Sequence, residues 1–242
     1  MNSQVYQRAL TLYRKGKKLL RVLLRKDIYY FVHIACAKEY VGSEYGGYFI
    51  CPSGMNENSI IYSFGIGEDL SFDLAMIDKF RLHVHGFDPT PKAIDWIRSQ
   101  NLPKQFHFHE FGIADYDGVA RFSPPNDPRF VSFRMTAGEA AQQEVIESPV
   151  SRLQTIQERL GHQKIDILKM DIEGAEYQVI VDLIRSHLNV SQLLVEFHHR
   201  FKDLECDQTQ RTMDLLENSG YRLFGAADQN DTCSFIKINE EQ

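Results

Sequence analysis

The chain has 242 residues, 43% apolar and 25% charged, with a formal charge of −6. That length and balance suit one globular domain with a large core and exclude a collagen-like or low-complexity chain. The acidic total also excludes duplex nucleic acid as an expected partner, because such binding rests on basic groups meeting phosphates.

The charge is unevenly placed. Arg8, Arg14, Lys15, Lys17, Lys18, Arg21, Arg25 and Lys26 contribute +8 before the first acid at Asp27, which leaves −14 on the remainder. Leu10, Leu12, Leu19, Leu20, Val22, Leu23 and Leu24 are interleaved with these cations at helical spacings, so residues 1–44 are expected to form an N-terminal helical extension. Such a helix packs on the domain or on a second subunit, or else touches an anionic membrane surface weakly and reversibly. No apolar run approaches the ~20 residues needed to span a bilayer, and the start of the chain lacks the pattern of a secretory signal. Cys36, Cys51, Cys206 and Cys233 are too scattered for a zinc knuckle or a disulfide framework. The expectation is a soluble, cytoplasmic protein, at most peripheral to the inner membrane surface, with its oligomeric state open.

Residues 45–242 read as one domain. After a turn-rich stretch at Gly42, Gly46 and Gly47, strand Ser59–Phe64, helix Leu70–Phe80, strand His83–Asp88, helix Lys92–Gln100 and strand Phe106–Phe111 alternate, the pattern of a parallel sheet under helices. Asp117-Gly118 turns the chain into a short strand near Val119–Phe122. Residues 123–149 lack strong periodicity and read as a long loop, disordered or lid-like. The alternation resumes with helix Arg152–Leu160, strand Ile165–Met170, helix Ala175–His187, strand Gln192–Phe197 and helix Gln208–Asn218. Tyr221–Phe224 and Cys233–Ile238 then form an antiparallel hairpin. The fold class is therefore α/β, Rossmann-like, with a mostly parallel sheet and a C-terminal antiparallel hairpin.

Two strand ends carry candidate chemistry. In Ser63-Phe64-Gly65-Ile66-Gly67-Glu68-Asp69 the glycines could let backbone approach a ligand, but the third glycine of a dinucleotide loop falls on Leu70. Glu68 and Asp69 would moreover repel a pyrophosphate, so the loop suits a nucleoside carrying positive charge. Asp88, 21 residues after Gly67, is placed to accept hydrogen bonds from a ribose or to cap the helix that starts at Pro91. In Lys169-Met170-Asp171-Ile172-Glu173-Gly174-Ala175-Glu176, three carboxylates surround a strand's end and the next helix's first turn, where Glu173 and Glu176 could simply favour the macrodipole. Asp171 and Glu196 end strands expected to be neighbours, and His198 follows two residues after Glu196. His83 and His85, like His107 and His109, alternate along strands and are assigned no chemistry.

With Gly86-Phe87-Asp88-Pro89, Gly112-Ile113-Ala114-Asp115 and Val195-Glu196-Phe197-His198, these blocks resemble the FkbM-type methyltransferases in order and spacing over residues 45–238. The resemblance implies S-adenosylmethionine as cofactor and a hydroxyl of a sugar, glycan or natural product as acceptor. Carried over by position, Gly65 and Gly67 would face the cofactor's methionine part, Asp88 its ribose, and Ile113, Ala114 and Asp115 its adenine. Ser63, Ile66 and Gly67 depart from the family's usual first loop, which puts Glu68 or Asp69 forward for the cofactor's ammonium. Asp171, Glu196 and His198 are the candidate catalytic groups, with Asp171 or His198 as base. A less favoured alternative lets Asp171, Glu173, Glu196 and His198 hold a divalent cation. A non-catalytic nucleoside-binding module of the same fold is the runner-up, ahead of an NAD-dependent oxidoreductase.

Overall fold

The computed structural model describes residues 16–24, 26–125, 132–136, 145–201, 204–227 and 231–238. A seven-stranded sheet forms its centre, in the order β12-β13-β11-β10-β3-β4-β5. Strands β3 (Ile60–Phe64), β4 (His83–Phe87), β5 (Phe106–His109), β10 (Ile165–Met170) and β11 (Val190–Glu196) are mutually parallel, while β13 (Thr232–Lys237) runs antiparallel between β11 and β12 (Tyr221–Ala227). The central parallel strands β3, β10 and β11 are largely buried on both faces and accordingly read as mostly apolar runs, whereas β4 and β5 toward the sheet edge carry alternating histidines. The order reverses between β3 and β10, the topological switch point at which open α/β sheets form their ligand crevice.

Each face is covered by helices whose apolar side turns inward. On one face, Phe72, Met76 and Ile77 of α2 (Ser71–Phe80) and Ile97 of α3 (Pro91–Arg98) pack on Ile61, Val84 and Ile167. On the other, Leu153 and Ile156 of α4 (Leu153–Leu160), Tyr177, Ile180 and Leu183 of α5 (Glu176–Arg185), and Leu216 of α6 (Cys206–Asn218) cover Tyr62, Leu168 and Leu193. Pro91 occupies the first turn of α3 and Gly161, at φ 74°, ends α4, the positions where a missing N–H and a missing Cβ cost least.

Two regions differ from the sequence-based expectation. Within 123–149, expected as a loop, β8 (Arg134–Thr136) and β9 (Ile146–Ser151) join β6 (Gly112–Ile113) and β7 (Gly118–Ser123) in a second sheet, order β6-β9-β7-β8. These strands are short and half-exposed, so they carry little hydrophobic periodicity. The extension is not helical throughout: residues 16–23 form helix α1, but the chain then runs extended along β12, with His33 donating its backbone N–H to Leu223, and enters β1 (Glu39–Val41), which pairs with β2 (Tyr48–Ile50). Ile28 and Tyr30 enter the main core, and Asp27 ties α1 to the body by meeting Arg21 at 3.1 Å and Arg200 at 3.2 Å. Among the described residues no helix is long and apolar enough to cross a membrane.

Candidate active site

The switch point is built by contact between three strand ends. Asp171 donates its N–H to the carbonyl of Phe64, and Gly65 donates to Phe87, which locks the tips of β10, β3 and β4 together. Gly65 has φ 76°, and a Cβ there would lie 1.7 Å from the Asp171 carbonyl oxygen. Glycine is therefore demanded at 65 by the neighbouring strand itself. Gly67, at φ 55°, directs its N–H onto Asp88 Oδ2 at 2.9 Å.

Around these tips lies a cavity lined by Gly65, Ile66, Gly67, Glu68, Asp69, Asp88, Ile113 and Asp171. Its roof comes from Phe122, Phe133 and Met135 of the second sheet and its neighbouring chain, and Tyr45 stands at the mouth. Sequence reasoning missed all four, because no periodicity or spacing links an aromatic in a strap or small sheet to a distant crevice. The turn at residues 43–46, which carries Tyr45, is held by Asp69: Oδ2 accepts from Ser43 Oγ at 2.7 Å, and Oδ1 accepts from the Ser71 N–H at 2.7 Å. Burial pushes the Asp69 carboxyl up, but these hydrogen bonds and Lys169 hold it below its ordinary value. Asp69 is thus engaged by the protein, and the exposed Glu68 is the carboxylate left at that edge.

Three residues expected at the cofactor, Ser63, Ala114 and Asp115, do not line this cavity. Ser63 is fully buried behind the cavity, on the β3 face that carries Asp73 of α2. Ala114 is buried against Ala120, Phe122 and Val150 of the second sheet. Asp115 is exposed and lines a different depression with Tyr177, Arg185 and Arg211.

A second chamber adjoins the first and shares Tyr45, Asp171 and Glu173 with it. Its other walls are Glu196, Phe197, His198, Arg200, Phe201 and Asp231. Asp171, Glu196 and His198 each offer one atom to a set lying within 4.8 Å of one another. His198 Nε2 stands 3.5 Å from Asp171 Oδ1 and 3.4 Å from Glu173 Oε2. Its Nδ1 lies 2.8 Å from Glu176 Oε1, which also accepts the N–H groups of Ile172 and Gly174. Glu176 is 0% exposed. The first-turn macrodipole reading of this residue is therefore too weak, since it organises the turn that carries Asp171 and Glu173.

Proximity sets the protonation states. Burial pushes Glu196 up to about 8, with the Asp171 charge adding to the rise. Burial likewise raises Asp171 and Glu173, against the lowering influence of His198. For His198, burial alone would lower the value, but Glu176, Asp171 and Glu173 together raise it to about 10. An unliganded His198 is consequently an imidazolium at neutral pH, which makes it a poor proton acceptor. Lys169, 4% exposed, supplies a second buried cation 3.4 Å from the Gly65 carbonyl.

A family model described as the methyltransferase FkbM domain matches residues 56–223, more than half of the chain. The chain belongs to the FkbM methyltransferase family. Curated relatives named probable methyltransferase-like protein 24 are 29% identical over 183 residues in human, covering 70% of this chain and 43% of the relative, and 29% identical over 178 residues in rat, covering 68% and 42%. This FkbM chain thus spans less than half the length of the curated relatives it matches. Solved structures similar to it include a Methanococcus jannaschii fibrillarin pre-rRNA processing protein, at 11% identity and TM-score 0.44 over 77% of this chain and 69% of that one. An Aeropyrum pernix fibrillarin with natively bound S-adenosyl-L-methionine has 11% identity and TM-score 0.39 over 76% and 67%.

Membership of the FkbM family makes S-adenosylmethionine the cofactor to be accommodated, and the residues present fit it. The loop offers carboxylates and no cluster of basic groups, so a cationic sulfonium is welcome where a pyrophosphate would be repelled. Asp88 Oδ1 accepts both the N–H and the Oγ1–H of Thr90, whereas Oδ2 accepts from Gly67 and, among the described residues, keeps a lone pair. The apolar roof completes a cavity of mixed character, as small-molecule sites require.

Proposed function

We propose that this FkbM chain methylates a hydroxyl group of a sugar, glycan or natural product. The observation that carries the reading is the shared wall: Asp171 and Glu173 face both the glycine-loop cavity and the carboxylate chamber. When bound, S-adenosylmethionine supplies an electrophilic methyl group on a positively charged sulfur. Asp88 would hold its ribose through the remaining lone pair of Oδ2, and Ile113, Phe122, Phe133 and Met135 would enclose its adenine. The acceptor would enter the second chamber beneath Tyr45.

Holding an acceptor in line supplies ~7 to 11 kcal/mol and a proton acceptor ~10² to 10⁴ in rate, so positioning is the larger task. Glu196, whose value of about 8 is close to working pH, is the proton acceptor best matched to a hydroxyl. With no cation bound, His198 instead orients the carboxylates as an imidazolium. The test is transfer of label from S-adenosylmethionine to a panel of hydroxylated acceptors, with Glu196→Gln as control. Tight cofactor binding with no product from any acceptor would favour the non-catalytic module, and saturable NADH binding would favour the oxidoreductase.

We further propose that the chain is cytoplasmic and touches the membrane surface weakly and reversibly through α1. Leu19, Leu20, Leu23 and Leu24 of α1 and the following turn are exposed, as are Tyr29 and Phe31 beyond them, and Lys17, Lys18, Arg21 and Lys26 lie among them. Apolar side chains interleaved with cations match the interface of an anionic bilayer, which accepts both.

A further inference from the structure

We propose that the second chamber is a divalent-cation site, with Asp171, Glu196 and His198 as ligands and Glu176 as the group that orients the histidine. The inference deepens the methyl-transfer reading, and its catalytic half rests on that reading; the binding half does not.

Three observations support it. The first is the donor set: two carboxylates and an imidazole, from the ends of β10 and β11 and the turn beyond, place one atom each within 4.8 Å of one another. Adjustments of about 1 Å would bring them to the edge lengths of a six-coordinate ion, whose bonds are roughly 2.0–2.2 Å. The second is the histidine. A metal-ligating imidazole characteristically donates its other N–H to a carboxylate, and His198 Nδ1 meets the buried Glu176 Oε1 at 2.8 Å while Nε2 faces the chamber. At 3.4 and 3.5 Å from its nearest carboxylate oxygens, Nε2 stands beyond the ~2.7–2.9 Å of a charge-assisted hydrogen bond.

The third is charge. Asp171, Glu173, Glu176 and Glu196 confront one imidazole and Lys169. The neighbouring group Asp27, His199 and Asp231 has similar ligand spacing, but there Arg200 reaches both aspartates at 3.2 and 2.9 Å and Arg21 reaches Asp27. There each aspartate is met by an arginine, whereas around His198 and Lys169 stand four carboxylates, with Arg200 on the chamber wall and Arg134 beside Gly174 among the described residues. An Asp-Glu-His set with open positions suits a first-row ion such as Mn²⁺ better than Ca²⁺, which prefers oxygen throughout. A hydroxyl bound at an open position is acidified. The ion displaces the Nε2 proton of His198 to solvent and takes Glu196 as a ligand, so the hydroxyl's O–H bond breaks with the electron pair left on oxygen and the proton passes to Glu173, which replaces Glu196 as acceptor when the cation is bound.

The experiment is a Mn²⁺ titration of the full chain after chelation and desalting, followed by electron paramagnetic resonance. It is run beside calorimetry with S-adenosylhomocysteine and a methyl-transfer assay. One bound Mn²⁺ per chain is expected, weakened at least tenfold in Asp171→Asn and Glu196→Gln and about 10- to 100-fold in Glu176→Gln, with the surface control Asp78→Asn unchanged. Circular dichroism melting shows which variants fold; if the ligand variants do not, the wild-type stoichiometry and the effect of chelation on turnover decide. Absence of stoichiometric binding to folded wild-type protein overturns the proposal, as does binding indifferent to Asp171→Asn and Glu196→Gln, or full turnover with the ion verifiably removed. Mn²⁺ bound normally with no heat from S-adenosylhomocysteine would instead sink the methyl-transfer reading and leave the cation site standing.

Discussion

His198 and Glu176 form the pair on which the site's electrostatics turn: Nδ1 and Oε1 are 2.8 Å apart, and the carboxylate is sealed from solvent. Because Oε1 already accepts the N–H groups of Ile172 and Gly174, it is the acceptor here too, so His198 donates, and its ring orientation is fixed by a residue 22 positions earlier in the chain. Replacing Glu176 by Gln should lower the His198 value from about 10. Loss of charge-assisted hydrogen bonds should cost about 1.5–3 kcal/mol of stability. Nitrogen-15 NMR of the imidazole follows the titration directly; an unaltered curve would show that Glu176 does not govern it.

The pH profile of methyl transfer should rise through about 8, because Glu196 must lose its proton either to accept one from a hydroxyl or to ligate a cation. Its carboxyl is raised above the ordinary range by burial and Asp171, so the competent form gains population with increasing pH. Glu196→Gln should remove this inflection and lower kcat ~10² to 10⁴-fold. A profile already flat from pH 6 upward would contradict the assignment.

Gly65→Ala should unfold the site from its base. The added carbon would meet the Asp171 carbonyl at 1.7 Å and place alanine at φ 76°. Overpacking of about 1–3 kcal/mol and left-handed strain of about 1–2 kcal/mol act together. Thermal melting should fall by several degrees and cofactor affinity with it. Gly161→Ala, where the new atom meets nothing within 4 Å and the strain acts alone, is the comparison.

A column of imidazoles on β4 and β5 should make the fold acid-labile. His83 Nδ1 and His107 Nε2 are 2.8 Å apart, His85 Nδ1 and His109 Nε2 3.1 Å, and His162 meets the Tyr62 hydroxyl at 2.8 Å. Burial, then mutual repulsion, depresses His85 to about 3 and lowers His107, His109 and His162. An unfolded histidine titrates near ~6.5, so below that pH the unfolded chain binds protons that the folded one refuses. Stability is therefore complete above pH ~6.5 and declines as pH falls toward 3, by on the order of 1 kcal/mol at pH 5 after allowance for solvent screening. Urea denaturation at pH 7 and 5 should show the loss, and His85→Phe should diminish it. Equal midpoints at both pH values would refute this.

Vesicle sedimentation tests α1. Binding to anionic vesicles, little binding to neutral ones, and at least a tenfold loss in Leu20→Glu/Leu23→Glu are expected. Equal binding to both vesicle types would reject the charge component of the idea.

The alternation of strands and helices, the C-terminal hairpin and the convergence of Asp171, Glu196 and His198 were legible in the sequence. Strand and helix periods are local properties, and parallel neighbours bring their carboxyl ends to one edge. Only the tertiary structure decided what those groups are worth. Asp69 lies in the right loop but holds Ser43; Ser63 and Asp115 have the right neighbours but do not line the cavity; and Glu176, which reads as an ordinary first-turn acid, is buried under His198. The two histidine pairs, 24 residues apart, meet only through the register of β4 on β5. A side chain's partners, and with them its protonation state, follow from distance and burial in three dimensions, which spacing along the chain does not encode.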